Sequence, residues 1–533
     1  MKRIFTFVFI LSLTLTVCAQ ERIMYRLILA DKGTSSYSIE EPEKFLTEKS
    51  IERRLKQGFT VDESDLPISS SYIEAVEATG AIVQSMSKWV MTVVVEISNE
   101  EQLEMLGSLP FIEDYYPVWK DEGATKRSLV YLEKESPEIN KNDYGLAWQQ
   151  LVLQNGHFLH ELGFRGEGIT IAVMDGGFTN VDVQDYFDMD KIIEVKNFSH
   201  EDDDPLRGSQ DHGTKVLSCL MAEKKGEYIG TAPDARYYLF KTEMNTCEYP
   251  IEEDYWVEAL EYADYLGVDL VSSSLGYFHF SDSSMNHTYE ELDGQTTFIS
   301  RAASMAAHKG MIICNSAGNE GNKDWKQIIF PADAKDILTI GGVQADSLRS
   351  AFSSMGYTAD NRVKPDVMAM ATYVPNIGAM GLGYANGTSF SCPIMSGMTA
   401  CLWQALPDLN SLEIMSLIRE SADKYDNPNP LLGYGIPDMY KAYVAGLSSQ
   451  ADGAYSSETD YINIDSNNHT INIAIDFLRD TNAYVEIYNM SGAKLFSRQL
   501  RSSTIDYSLL NTGIYIVALR WDDKRQVKKF IRQ

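Results

Sequence analysis

The stretch "GITIAVMDGG", residues 168–177, decides the fold. A run of apolar and β-branched residues from Ile169 to Met174 ends abruptly on a carboxylate, Asp175, followed by two glycines. A strand with one wet face alternates in polarity. An unbroken run like this one is buried on both faces, the habit of a parallel sheet covered by helices. The same kind of run returns at "VDLVSSSLG" (268–276) and "MIICNSAGNEG" (311–321), and helical spacing fills the intervals at "IEEDYWVEALEYADYLG" (251–267) and "ISRAASMAAHKG" (299–310). Residues 144–446 are therefore expected to form an α/β domain, a parallel sheet with helices on both faces. In such sheets functional residues gather where strands end, and Asp175 stands at such an end.

The flanks have a different grain. From residue 23 to 118 the order is strand ("IMYRLILAD", 23–31), helix closed by Gly58, short helix closed by Gly80, two strands within 81–97, a helix opened by acidic residues after Asn99, and a last strand at 111–118. That order predicts a ferredoxin-like α+β layer, with its unit bounded at 20–125. Residues 120–142 have few apolar anchors and read as an exposed linker. From 455 to 533 short strands such as "TINIAIDF" (470–477), "AYVEIYNM" (483–490) and "GIYIVALRW" (513–521) alternate with turns, which predicts a small all-β sandwich. The first residues carry Lys2 and Arg3, then an apolar run and Val17-Cys18-Ala19, the pattern of a secretory signal peptide cut after Ala19, so 1–19 is set apart. Bulky Val17 argues against lipid attachment at Cys18, and no later stretch reads as a transmembrane helix.

Composition narrows the function. Asp and Glu number 76 against 46 Lys and Arg, a net charge of −30, which argues against nucleic-acid binding, since that needs clustered positive charge. The cysteines beyond the leader are Cys219, Cys247, Cys314, Cys392 and Cys401, an odd number at irregular spacing that implies neither a disulfide framework nor a metal site. Cys392 and Cys401 read as small apolar groups packed in a helix.

Three polar residues then need a common explanation: Asp175 at its strand end, His212 opening the helix of "DHGTKVLSCLMA" (211–222), and Ser389 in "NGTSFSCPIMSG" (386–397), again at a helix start. Singly, each has an ordinary reading as a turn or cap residue. Together they answer a chemical need. Serine becomes a nucleophile only with a base beside it, histidine suits that task near neutral pH, and a carboxylate behind the histidine fixes its tautomer and stabilises the imidazolium. A helix N-terminus at Ser389 adds positive potential where an oxyanion forms, and Asn319 in "AGNEG" (317–321) offers an amide donor to it.

The order Asp175, His212, Ser389, with "IAVMDGG" (171–177), "HGTKV" (212–216), "SLG" (274–276), "AGNEG" (317–321), "FSSMG" (352–356), "KPDVMA" (364–369) and "NGTSFSCP" (386–393), resembles the subtilisin-like serine proteases, or subtilases. The resemblance implies a seven-stranded parallel sheet, endopeptidase activity on protein or peptide substrates, Asn319 in the oxyanion hole, and an edge strand at Ser274, Leu275 and Gly276 that pairs with the substrate backbone. It implies no required cofactor. Structural calcium is common in the family, and "EDDDP" (201–205) could supply oxygen ligands. Residues 20–125 resemble the propeptides of Bacteroidetes subtilases, and 455–533 resemble the C-terminal sorting domain of the type IX secretion system. The expected product is an autoprocessed precursor exported through the periplasm to the cell surface or medium. Three positions depart from the family pattern: Gly176 replaces a Thr or Ser, Lys215 a second His, and Ser391-Cys392 a pair of small residues. Gly176 and Lys215 keep a second reading open, a catalytically inactive surface or adhesion protein that retains the fold.

Overall fold

The structure, a computed structural model, describes residues 22–120, 143–201, 203–208, 210–245 and 247–453, together with most of the strands between 462 and 532. The leader expected at 1–19 and nearly all of the linker expected at 120–142 lie outside the described residues.

The N-terminal unit runs β1 (Ile23–Leu29), α1 (Glu48–Gln57), α2 (Ser70–Glu77), β2 (Ile82–Ser87), β3 (Thr92–Ile97), α3 (Glu100–Gly107) and β4 (Ile112–Lys120). Its sheet has the order β2-β3-β1-β4 with antiparallel neighbours, the ferredoxin-like layer that the sequence predicts. The helix ends follow their chemistry. The Thr47 side chain accepts from Ser50 N–H to open α1, and Gly58 closes it at φ 77°.

The central domain contains β5 (Thr170–Asp175), β6 (Ile192–Asn197), α4 (His212–Met221), β7 (Arg236–Lys241), α5 (Ile251–Tyr265), β8 (Leu270–Ser273), α6 (Phe298–His308), β9 (Ile312–Ser316), β10 (Leu338–Val343) and β11 (Val367–Met370). A hairpin follows, β12 (Val374–Gly378) and β13 (Gly381–Ala385), then α7 (Thr388–Ala405), α8 (Ser411–Ser421) and α9 (Met439–Gly453). Seven strands form one parallel sheet in the order β11-β10-β9-β8-β5-β7-β6. All six residues of β5 are buried, as its unbroken apolar run requires. Residues such as Ile171 and Val173, wholly buried, each contribute about 1.5–3 kcal/mol of apolar transfer.

Helices cover both faces. One core joins β5 and β9 to α4, α7 and α8 through Ile171, Val173, Leu217, Ile312, Ile394 and Ile414. The other joins Ala172, Val271 and Ile313 to Trp256 of α5 and Ala302 of α6, and continues into the N-terminal unit through Met24, Trp89, Val94 and Trp119. Helix α7 is buried on nearly every side, as expected of a core helix rather than a surface one. Its Cys392 Sγ lies 3.4 Å from the carbonyls of Ser273 and Cys314, so this thiol packs under the sheet as a small polarizable group. Cys219, Cys314, Cys392 and Cys401 are all buried and form no disulfide.

The C-terminal unit is a pair of antiparallel sheets. Strands β14 (Ile462–Asp465), β15 (Thr470–Ile473), β16 (Tyr484–Asn489), β17 (Lys494–Gln499), β18 (Thr504–Asp506), β19 (Gly513–Trp521) and β20 (Lys524–Arg532) pair as β14-β15-β18 and β17-β16-β19-β20. Ile462 and Ile471 of the first share a core with Val485, Ile487 and Val517 of the second, the sandwich expected from the alternating pattern. Among the described residues, no helix is long and apolar enough to cross a membrane.

Candidate active site

Strand β5 carries Asp175 to its C-terminal end, where the carboxylate is wholly buried. Its Oδ1 accepts from the Gly176 N–H at 2.7 Å. His212 is the first residue of α4, and its Nδ1 lies 2.8 Å from Asp175 Oδ1 and 3.0 Å from Oδ2. Gly213 lets α4 start here, because a Cβ at 213 would lie 2.5 Å from the Gly177 carbonyl. Burial alone would lower the His212 imidazole. The charge of Asp175 and its hydrogen bond outweigh that and hold its pKa above the ordinary histidine value.

Ser389 is the second residue of α7, after Gly387 at φ 149°. Its hydroxyl donates to the Ser274 carbonyl at 3.4 Å, while Ser274 Oγ donates to the Ser389 carbonyl at 2.8 Å. The polar residues thus form two pairs, Asp175 with His212 and Ser389 with Ser274, and among the described residues no hydrogen bond joins Ser389 to His212. The two pairs meet through Phe390, whose ring centroid lies 5.9 Å from that of His212. In a substrate-free site the catalytic hydrogen bonds are commonly long or unmade.

Asn319 follows β9. Its Oδ1 accepts from Thr388 N–H at 2.8 Å and from Thr388 Oγ1 at 3.1 Å. That anchor fixes the amide and leaves Nδ2 with no hydrogen bond among the described residues. The N–H of Ser389, at the open end of α7, is likewise unengaged. Leu275 and Gly276 continue from β8. The Leu275 carbonyl accepts from Asn315 Nδ2 at 3.2 Å, while the N–H and C=O of Gly276 make no hydrogen bond among the described residues. Tyr277 then locks the chain by exchanging backbone bonds of 2.8 and 3.0 Å with Phe330.

The three unusual positions have physical explanations. A Cβ at 176 would stand 2.5 Å from Gln210 Oε1, so the Gln210 side chain takes the space that a Thr or Ser would need. Lys215 pairs with Asp211 at 2.8 Å, and Asp211 Oδ2 accepts from Ala379 N–H at 3.1 Å, which ties α4 to the turn between β12 and β13. Ser391 Oγ donates to the Thr388 carbonyl at 2.9 Å, within the first turn of α7.

Sequence reasoning passed over two features. Gln210 gave no signal, because nothing in its spacing ties it to Gly176. Glu243, Glu248 and Glu252 come together with carboxylate oxygens within 4.8 Å of one another, and the Tyr277 hydroxyl donates to Glu243 at 2.6 Å. They are drawn from a loop and the first turn of α5, a convergence only the fold makes. Calcium does not fit the acidic stretch at 201–205. Lys241, buried at the end of β7, places Nζ 2.8 Å from Glu201 and 2.9 Å from Asp203, where an ammonium already supplies the positive charge. Asp202 lies outside the described residues.

Comparison with known proteins assigns three stretches of the chain to known families. Residues 166–436 match the Subtilase family, residues 24–129 the Peptidase S8 propeptide domain of Bacteroidota, and residues 459–533 a secretion system C-terminal sorting domain. The chain is 26% identical over 332 residues to Serine protease AprX of Bacillus subtilis (strain 168), covering 56% of this chain and 70% of that one. It is 27% identical over 356 residues to Thermophilic serine proteinase of Bacillus sp. (strain AK1), covering 66% and 77% respectively. It spans only 30% of Subtilisin-like protease SBT6.1 of Arabidopsis thaliana, at 25% identity. Among solved structures it is similar to MycP1 from Mycobacterium smegmatis, with a TM-score of 0.45 and 19% identity over 61% of this chain and 92% of that one. The sorting domain marks the product for type IX export, to the cell surface or beyond it. With its family matched over more than half its length, behind a propeptide, this chain belongs to the subtilase family and is a subtilisin-like serine endopeptidase.

Proposed function

We propose that Ser389, His212, Asp175 and Asn319 hydrolyse peptide bonds through an acyl-enzyme, and that the precursor cuts itself free of its N-terminal unit. The Asp175–His212 hydrogen bond at 2.8 Å carries this reading, since it leaves Nε2 as the basic nitrogen of the ring. The Ser389 hydroxyl turns from the Ser274 carbonyl toward that nitrogen by rotation of its side chain. Its oxygen attacks the scissile carbonyl carbon while Nε2 takes its proton. The carbonyl oxygen becomes an oxyanion, received by Asn319 Nδ2 and the Ser389 N–H. Collapse breaks the C–N bond, and His212 returns the proton to the leaving amine. Water then attacks the ester by the same route, giving up a proton to His212 and releasing the acid. The unengaged backbone of Gly276 suits main-chain pairing with an extended peptide.

The direct test is labelling with a fluorophosphonate and mapping the adduct. The expected result is one adduct at Ser389 together with casein hydrolysis by the processed protein. Absence of both would indicate an inactive protein that keeps the fold.

Two further results are expected. Asn319→Ala removes one oxyanion donor and should lower kcat by about 10²–10³-fold with KM little changed, since the donor engages the transition state rather than the bound peptide. The pH profile follows from His212. The base acts only when neutral, and its raised pKa keeps the proton on to higher pH, so kcat/KM should fall with acid along a limb whose midpoint lies above the 6.5 of an ordinary imidazole. A midpoint below that value in steady-state assays would contradict the pairing with Asp175.

A further inference from the structure

One face of α5 carries a stripe of carboxyls at Asp254, Glu258, Glu261 and Asp264, spaced four, three and three residues apart. A stripe of this kind ordinarily faces water. Here the N-terminal unit covers it, and it does so unevenly. At one end Arg26 of β1 grips Asp254 with Nε at 2.8 Å and Nη2 at 2.5 Å, beneath the ring of Phe298. At the other, Arg53 and Arg54 of α1 converge on Asp264. The middle of the stripe makes no ion pair among the described residues, though Lys88 lies near Glu261. Glu261 accepts from the Ser87 hydroxyl and from the backbone N–H groups of Trp89 at 3.0 Å and Lys88 at 3.3 Å. Glu258 sits against Ser85 of β2 and makes no ion pair among the described residues, and its Oε2 is buried without a hydrogen bond.

We propose that docking of the N-terminal unit on α5 takes up a proton at Glu258, so that the prodomain is held more tightly at pH 5 than at pH 7. This rests on residues 24–129 being a detachable propeptide, and it does not depend on the catalytic roles assigned above. The physical reason is desolvation. With the prodomain gone, Glu258 lies on a helix face open to water. Covered by β2, it is left half-buried with Oε2 shut off from water, and it gains no cation, so its charged form becomes costly. The groups that face it are Ser85 from β2 and Lys196 from β6, which favour the charge, and Glu261 and Asp254 on its own helix, which oppose it. Burial dominates and pushes the covered carboxyl from 4.5 to about 7. A raised proton affinity in the complex stabilises it fully below the ordinary carboxyl value, and that stabilisation is lost as pH climbs to the raised one. The dissociation constant should therefore rise by up to roughly tenfold per pH unit between 5 and 7, then level off. The guanidiniums stay charged throughout this window. His287, in the same corner, keeps Glu253 and Glu291 of its own domain when the prodomain leaves, while the charge of Arg26 lowers its proton affinity in the docked state and so opposes the Glu258 effect.

The test uses the full chain carrying Ser389→Ala, with a recognition site for an unrelated site-specific protease placed between residues 121 and 142. After nicking, the protein is immobilised by its C-terminus and prodomain retention is followed from pH 5 to pH 8. The expected result is weaker retention as pH rises to 7, with a clearly shallower slope for Glu258→Gln, the remainder coming from Asp254 and Glu261, which burial also raises. Retention that is flat from pH 5 to 7 in the parent would overturn the proposal without recourse to any variant. So would a Glu258→Gln protein that keeps the parent's slope. Because the nick is made by another enzyme, a catalytically inactive protein would still answer the question.

Discussion

Ser389→Ala is expected to lower kcat/KM toward a peptide substrate by about six orders of magnitude, leaving the thermal midpoint nearly unchanged. The size follows from cooperation. Once the nucleophilic oxygen is gone, His212 has no proton to take and Asp175 no imidazolium to stabilise, so the variant forfeits the work of all three. The oxyanion donors remain and sustain a residual rate above that of water. The structural cost is small, because the hydroxyl makes one neutral hydrogen bond, at 3.4 Å to Ser274, whose loss costs at most about 1 kcal/mol. The same variant should accumulate as a precursor with its N-terminal unit still joined. N-terminal sequencing of secreted material from both forms separates the possibilities. Normal processing by a pure Ser389→Ala protein would remove self-cleavage from the scheme, and near-normal turnover would remove Ser389 as nucleophile.

Much of this was legible in the chain, and the reasons are local. The run from Ile169 to Met174 is apolar because β5 has no wet face, and Asp175 stands out because it ends that run. Gly213 and Gly387 mark places where the backbone comes too close, or turns too far, for a side chain. Each is a constraint of sterics or solvation written within a few residues, so sequence carries it. What stayed hidden depends on elements distant in the chain. Lys241 belongs to a strand end, yet it seats itself between Glu201 and Asp203 some forty residues earlier and removes the case for a cation there. The acidic face of α5 has the composition of a solvent-exposed helix. Only the docked N-terminal unit, with Arg26, Arg53 and Arg54, explains why it is buried. The direction of the Ser389 hydroxyl was equally beyond reach, since a rotamer is chosen by neighbours that the fold assembles.

Asp175→Asn offers the sharpest separation between a carboxylate that builds the fold and one that serves the base. The loss expected in kcat is about 10⁴-fold, two orders smaller than for the nucleophile, because the variant keeps Ser389, His212 and the oxyanion donors and loses only the charge behind the ring. The site should tolerate the change in shape. Gly176 N–H already donates to Asp175 Oδ1 at 2.7 Å, which favours an amide with its oxygen in that place and its nitrogen on the Oδ2 side, 3.0 Å from His212 Nδ1. The amide nitrogen then competes for Nδ1 with Oδ1, which still accepts from it at 2.8 Å, and a ring that answers the new donor carries its proton on Nε2, the one form unable to accept from serine. The electrostatic consequence can be read independently. Burial lowers the His212 imidazole, and the charge of Asp175 is the leading influence that raises it. Without that charge the desolvation penalty dominates, and the acid limb of kcat/KM should move below the 6.5 of an ordinary imidazole. A purely structural role would depress activity through lost folded protein and leave the limb where it was. A variant that folds, loses activity and keeps the parent's limb would therefore show that Asp175 acts on something other than His212.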